Sequence, residues 1–326
     1  MIKKLLPLFF VLLAAITVAQ TKHVINYHDG KKHIEYHTKN GMLNGTYTSY
    51  YETGQKRAEG NYTDNQKTGA WNVWDVKGIK RAERFFNNSL EFKIIAIWDS
   101  SGANRNIKTF NTLKYSTVDP ALGYVPYYPI KEEDVAWEKR LWRSIDNDSA
   151  VNKPLFDQNH FYSLLVKAIK NKEIEIYADE EFQCLLTYDS IKKYENISIN
   201  SFLIKEDLFY NKPLNVAEYR TIGICPAIKK SGKTKQLFWI YYPGCRSFLA
   251  KSNIMPALSN SIANYELLFF KRYFYSIIYK EGNLYNREIG DYTNKRGKIR
   301  EAERIEMTSI DYEFGLWYSL IIFRDK

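Results

Sequence analysis

The chain has 326 residues, 45% of them hydrophobic and 16% aromatic, with 26 tyrosines. That is too apolar for a disordered chain, and a soft prior of ~150 residues per domain suggests two domains. The formal net charge is +10. No zinc-finger, recognition-helix or RNP-type pattern accompanies it, so nucleic acid is set aside and the charge reads as solubility and steering toward partners.

Residues 1–20 read as a secretory signal peptide. Lys3 and Lys4 open it, an apolar run from Leu5 to Val18 follows, and cleavage is expected after Ala19 or Gln20. The run is short for a membrane span, no later one reaches about 18 apolar residues, and no cysteine sits there for lipid attachment. Removal of the two lysines leaves a charge of about +8, from 10 − 2. An exported chain meets an oxidising compartment, so Cys184, Cys225 and Cys245 matter. Three is odd and none forms a C-x-x-C. A Cys225–Cys245 disulfide and buried thiols both stay open.

Residues 27–83 repeat with a period of 24. Gly30, Gly54 and Gly78 are in register, as are Glu35, Glu59 and Glu83. Tyr47 and Tyr50 align with Trp71 and Trp74, and Lys56-Arg57-Ala58-Glu59 recurs as Lys80-Arg81-Ala82-Glu83. Each unit reads as a β-hairpin that stacks on its neighbour to bury its aromatic face. The stretch resembles the MORN-type repeat on Tyr47, Tyr50, Tyr51, Gly54, Gln55 and Lys56, which implies a contact array without catalysis. His33, Glu35 and His37 would share one strand face. No fourth ligand is placed by spacing, so they read as exposed strand residues and no metal is assigned. Phe92 to Trp98 reads as the last strand, closing a repeat region of 21–99.

Residues 100–130 hold Ser, Asn and Thr, then Pro120, Pro126 and Pro129, and read as a linker or wrapping arm. The second domain, 131–326, is expected to be separable from the array. A helix is expected from Glu132, with three acids in its first turn and Trp137, Leu141 and Ile145 on one face. Further helices are expected over His160–Lys170, Tyr265–Lys280 and Lys298–Thr308, with a strand at Ile174–Tyr177. Residues 216–242 read as a hairpin around Lys229-Lys230-Ser231-Gly232-Lys233. Ala227 to Thr234 also fits a loose P-loop. That loop must enter a helix to cradle phosphate, whereas Gln236 to Tyr242 is strand-like, so no nucleotide is expected. The fold class is α+β: a hairpin array, then a small antiparallel sheet with flanking helices.

The second domain resembles the GldN/PorN family of type IX secretion and gliding motility over about 134–318. The marks are Asp134-Val135-x-Trp137, Arg140-x-Trp142-Arg143-x-Ile145-Asp146, Asn152-x-Pro154-Leu155-Phe156, Tyr219-Arg220, and Ile224-Cys225-Pro226. Phe238-Trp239-Ile240-Tyr241-Tyr242-Pro243 with Arg246 is the densest block. Phe269-x-x-Arg272-Tyr273-Phe274 and Glu301-Ala302-Glu303-Arg304-Ile305 follow. The family implies a periplasmic structural protein at the inner face of the outer membrane. It also implies a ring with repeated copies of the chain, an outer-membrane lipoprotein partner and contact with a motor-linked periplasmic component. The alternative is a stand-alone module whose array holds a protein or an envelope polymer.

Enzyme chemistry finds little support. After residue 37 only His160 remains as a histidine, no Gly-x-Ser-x-Gly elbow exists, and Glu132-Glu133 and Glu180-Glu181 read as solvated faces. No cofactor is expected. Trp137 and Trp142 could line a sugar site, but their spacing fits packing. Trp137, Trp142, Arg143, Tyr219, Arg220, Trp239, Tyr241, Tyr242, Arg246 and Arg272, with Trp71 and Trp74 of the array, are expected to serve folding or partner contact.

Overall fold

The computed structural model describes residues 19–89, 91–105, 118–254, 258 and 262–319. All but the last two residues of the expected leader, and residues 106–117 of the expected linker, lie outside that set.

Strands β1 (Thr21–Asn26), β2 (Lys32–Lys39), β3 (Met42–Tyr50), β4 (Lys56–Thr63), β5 (Gln66–Trp74), β6 (Lys80–Asn88), β7 (Glu91–Trp98) and β8 (Asn104–Arg105) pair in sequence order in one antiparallel sheet. The repeat is visible in its turns. Gly30, Gly54, Gly78 and a fourth member, Gly102, take positive φ and donate to the carbonyls of Tyr27, Tyr51, Asp75 and Asp99. The period thus runs one turn beyond residue 83. Tyr47 and Trp71 are buried on the inner face, whereas Tyr50 and Trp74 lie half-exposed beside lysines. Residues three apart on a strand face opposite ways. Gly60 must be glycine, because a Cβ there would stand 2.0 Å from the Trp71 indole.

The second region holds β9 (Val135–Asp146), β10 (Ile176–Tyr177), β11 (Leu185–Leu186), β12 (Ser201–Asn211), β13 (Val216–Lys230), β14 (Lys233–Gln236), β15 (Ile240–Tyr241) and β16 (Ile277–Glu281). Its helices are α1 (Lys153–Phe156), α2 (His160–Lys170), α3 (Tyr188–Ile191), α4 (Tyr242–Lys251), α5 (Tyr265–Phe270) and α6 (Lys295–Ser319). The main sheet runs β14-β13-β12-β9-β16, with β15 beside β13. Phe161 and Leu165 of α2, Leu249 of α4 and Phe269 of α5 pack with Phe202 and Ile224 of the sheet in the largest core. The architecture is the expected one, a hairpin array followed by an α+β domain.

Three element assignments are corrected. Residues 135–146 form strand β9 after a single turn at Glu132–Asp134, not a helix. Trp137, Leu141 and Ile145 are four apart, an even spacing that keeps one face on a strand as well as on a helix. The helix from Tyr265 ends at Phe270. Arg272 turns left-handed at φ 54°, and Ile277–Glu281 becomes a strand paired with β9. The last helix spans Lys295–Ser319, not only Lys298–Thr308. Its missed second half inserts Phe314 and Trp317 into the aromatic face of the array. The Phe314 ring stacks 5.2 Å from Trp71, and Trp317 stacks 5.6 Å from Phe86. The expected hairpin is present. Lys230 pairs with Lys233 across Ser231 and Gly232, both at positive φ, which is a two-residue primed turn. A strand follows it, so the phosphate-cradling helix of a P-loop does not form there.

Candidate interaction sites

Arg143 of β9 and Arg272, in the turn after α5, converge on Glu206 of β12. Arg143 also reaches Glu306 of α6 at 3.0 Å, and the Arg272 guanidinium lies 4.0 Å over the Tyr219 ring. Glu206 and Arg143 are buried. Burial opposes the Glu206 charge, but Arg272 and Arg143 outweigh it and hold the carboxyl below its ordinary range. Three expected residues, Arg143, Tyr219 and Arg272, thus meet at one point. Their carboxylate partners were not foreseen. The available signal was Lys205-Glu206 in the middle of an apolar strand, since a buried charge needs an opposite charge. The left-handed turn at Arg272 is pinned from outside: Asn65 of the array donates to the Arg272 and Phe274 carbonyls at 3.0 and 3.2 Å.

Around this network runs a cleft of about 200 Å³ between array and domain, walled by Tyr36 and Tyr62 on one side and Tyr219 and Tyr275 on the other. The acids of α6 tie the two regions together. Glu313 binds Lys67 at 2.6 Å, both buried, and Asp311 binds Arg57 at 2.9 Å and His33 at 3.4 Å. Arg84 of β6 is buried with its guanidinium 4.0 Å over Trp317, and donates to the Asn215 carbonyl at 2.7 Å.

Arg246 and Arg220 hold the arm at 118–130. The Arg246 guanidinium lies 4.1 Å from the Tyr124 ring and 4.2 Å from the Tyr127 ring. It donates to the Val125 carbonyl at 2.6 Å and to Glu266 at 2.5 Å. Arg220 donates to the Tyr128 carbonyl at 2.7 Å. Burial pushes the Tyr127 hydroxyl up to about 12. The described half of the proline-rich stretch is therefore a wrapping arm.

Trp142 and Trp239 share a cluster with Cys225. The Trp142 indole donates to Glu180 at 2.9 Å and lies under Lys280 at 4.1 Å, and buried Lys205 binds Glu181 at 2.9 Å. Glu180-Glu181 are thus partners of lysines, not free solvated charges. Cys245 belongs to the separate large core. Cys225 and Cys245 are free, buried thiols pushed up to about 12 by burial, and Cys184 is free and exposed. Tyr242 is buried and Tyr241 exposed. Trp137 packs 5.2 Å from Tyr312 of α6. In the array His33 faces Asp311, Glu35 takes Lys22 and Lys32, and His37 bonds Thr46. Among the described residues no three His, Cys, Asp or Glu are placed to hold a metal ion.

One loop stands apart. Leu284 is 99% exposed and Tyr285 76%. Asn283 stiffens the loop, donating to the Glu281 and Arg287 carbonyls and accepting from the Tyr285 and Arg287 amides.

The fold and these sites define a two-part scaffold, in which buried charges join elements distant in sequence. The family model for the gliding motility associated protein GldN matches residues 130–318. The chain belongs to the GldN family, and so to the components of gliding motility and type IX secretion. No curated protein matches it. No helix among the described residues is long and apolar enough to cross a membrane.

Proposed function

We propose that this chain is a non-catalytic structural part of a type IX secretion and gliding apparatus, exported by residues 1–20 and held at the inner face of the outer membrane. It assembles there with an outer-membrane lipoprotein into a ring of repeated copies and touches the motor-linked periplasmic component. The observation that carries this reading is the GldN match across the α+β domain. The exposed Leu284-Tyr285 pair, on a loop whose backbone Asn283 ties, supports it as an assembly contact, because a backbone already held in place loses less entropy on docking.

Co-purification and size-exclusion chromatography with light scattering test it. The expected result is a stoichiometric complex with the lipoprotein, weakened when Leu284→Ser and Tyr285→Ser are combined. A monomer that never retains the lipoprotein would overturn it in favour of the stand-alone module.

A further inference from the structure

The outer face of the array carries one three-residue arrangement three times. Lys32, Lys56 and Lys80 pair with Glu35, Glu59 and Glu83, three residues on, because a bulge at His33, Arg57 and Arg81 brings each pair back to one face. Each ammonium also sits over a ring on the next strand: Tyr50 at 5.5 Å, Trp74 at 5.5 Å and Trp98 at 4.9 Å. The rings lie on β3, β5 and β7 beside the glycine turns and are half-exposed. The lysine side chains are 44%, 37% and 33% exposed.

Alternate strands stand about 9.5 Å apart, so the rings form a row of platforms at that interval. This is close to the length of one disaccharide in an extended β-1,4-linked glycan. Each of these three lysines is answered by a glutamate, with Glu35 taking Lys22 as well, so the row carries little net charge and a phosphate-rich polymer would meet carboxylates. What remains on offer is a half-exposed ring with a mobile-tipped lysine over it and a carboxylate beside that lysine, and a pyranose ring that displaces the ammonium would meet both an aromatic face and partners for its hydroxyls. Sheet twist turns each platform about 45° from the last, which suits a single twisted strand more than a flat crystalline surface.

We propose that this face is a binding site for an uncharged, extended β-1,4-linked polysaccharide strand, one disaccharide per Lys–Glu–aromatic unit. The glycan backbone of a cell wall has that chemistry. The inference rests on the proposed placement in the envelope but not on the ring, so failure of either leaves the other standing.

The test is calorimetric titration of the full chain with β-1,4-linked N-acetylglucosamine di-, tetra- and hexasaccharides. Affinity should rise with each added disaccharide up to three. Trp74→Ala should weaken hexasaccharide binding about tenfold, with Trp74→Phe restoring part of it. Circular dichroism confirms that each variant is folded. Binding that does not grow with length, or that Trp74→Ala leaves untouched, overturns the proposal. So does binding to anionic vesicles in place of the glycan.

Discussion

In the array, β1 to β8 pair in the order of the sequence, so each strand meets only its neighbours. In the α+β domain, β9 lies between β12 and β16, strands that begin at Ser201 and Ile277. The charges follow the same division. On the array's outer face Lys32, Lys56 and Lys80 each find a glutamate three residues away. In the domain Arg143 finds Glu206 and Arg246 finds Glu266 across distant segments. A locally wired sheet can gain or lose a unit without disturbing the rest. A non-locally wired one is all or nothing. The two regions nevertheless share one closure, because the array's aromatic face is covered by Phe314 and Trp317 of α6.

The largest expected effect comes from undoing that closure. Residues 131–326 alone leave the apolar side of α6 bare, and are expected to remain soluble only when residues 21–99 are supplied in trans. Trp317→Ala is the point version, expected to lower stability by about 3–5 kcal/mol with array and domain melting together. Separate melting of the two regions, or a fully stable 131–326, would show that the expected autonomy holds and the shared core is incidental.

Next comes the domain's own wiring. Glu206→Ala removes the carboxylate shared by two arginines, one of them buried, and is expected to lower stability by about 3–5 kcal/mol, read by denaturant titration. The Glu206 carboxyl is held below its unfolded value. Its contribution is therefore present above the unfolded pKa and lost as pH falls through the folded one. In Glu206→Ala the acid side of the stability profile should flatten.

Smaller effects sharpen the picture. A thiol reagent should modify Cys184 alone in the native protein and all three cysteines after unfolding. Three native thiols reacting at equal rates would contradict the buried positions of Cys225 and Cys245. Lys233→Ala, at the exposed edge of the primed turn, should shift stability by less than about 0.5 kcal/mol and leave ATP without measurable binding heat. ATP binding that vanishes with Lys233→Ala would restore the phosphate reading.

What was legible in the sequence follows the same division. The period of 24 and the turn at Ser231-Gly232 leave local marks, and both stand in the structure. The Trp98 platform and the Gly102 turn lie past residue 83, where the matching residues of the repeat end. Strand β9 reads as a helix in the sequence because a spacing of four satisfies both periodicities. The helix from Tyr265 breaks at Arg272 because Glu206 and Asn65, far off in sequence, hold a left-handed backbone there. The family marks located Arg143, Tyr219 and Arg272, but no local rule pairs Arg143 with a carboxylate 63 positions away.

The placement of α6 has a consequence for how the molecule comes into being. Synthesis releases the array's strands well before the helix that covers them. Until residues 314 and 317 arrive, Trp71 and Phe86 have no lid, and the nascent sheet is a sticky, unfinished surface. A prematurely ended chain would keep that surface open and fall to proteases or chaperones. The first strands therefore stay open until Phe314 and Trp317 pack against them, and a chain cut short of those residues cannot close its own beginning.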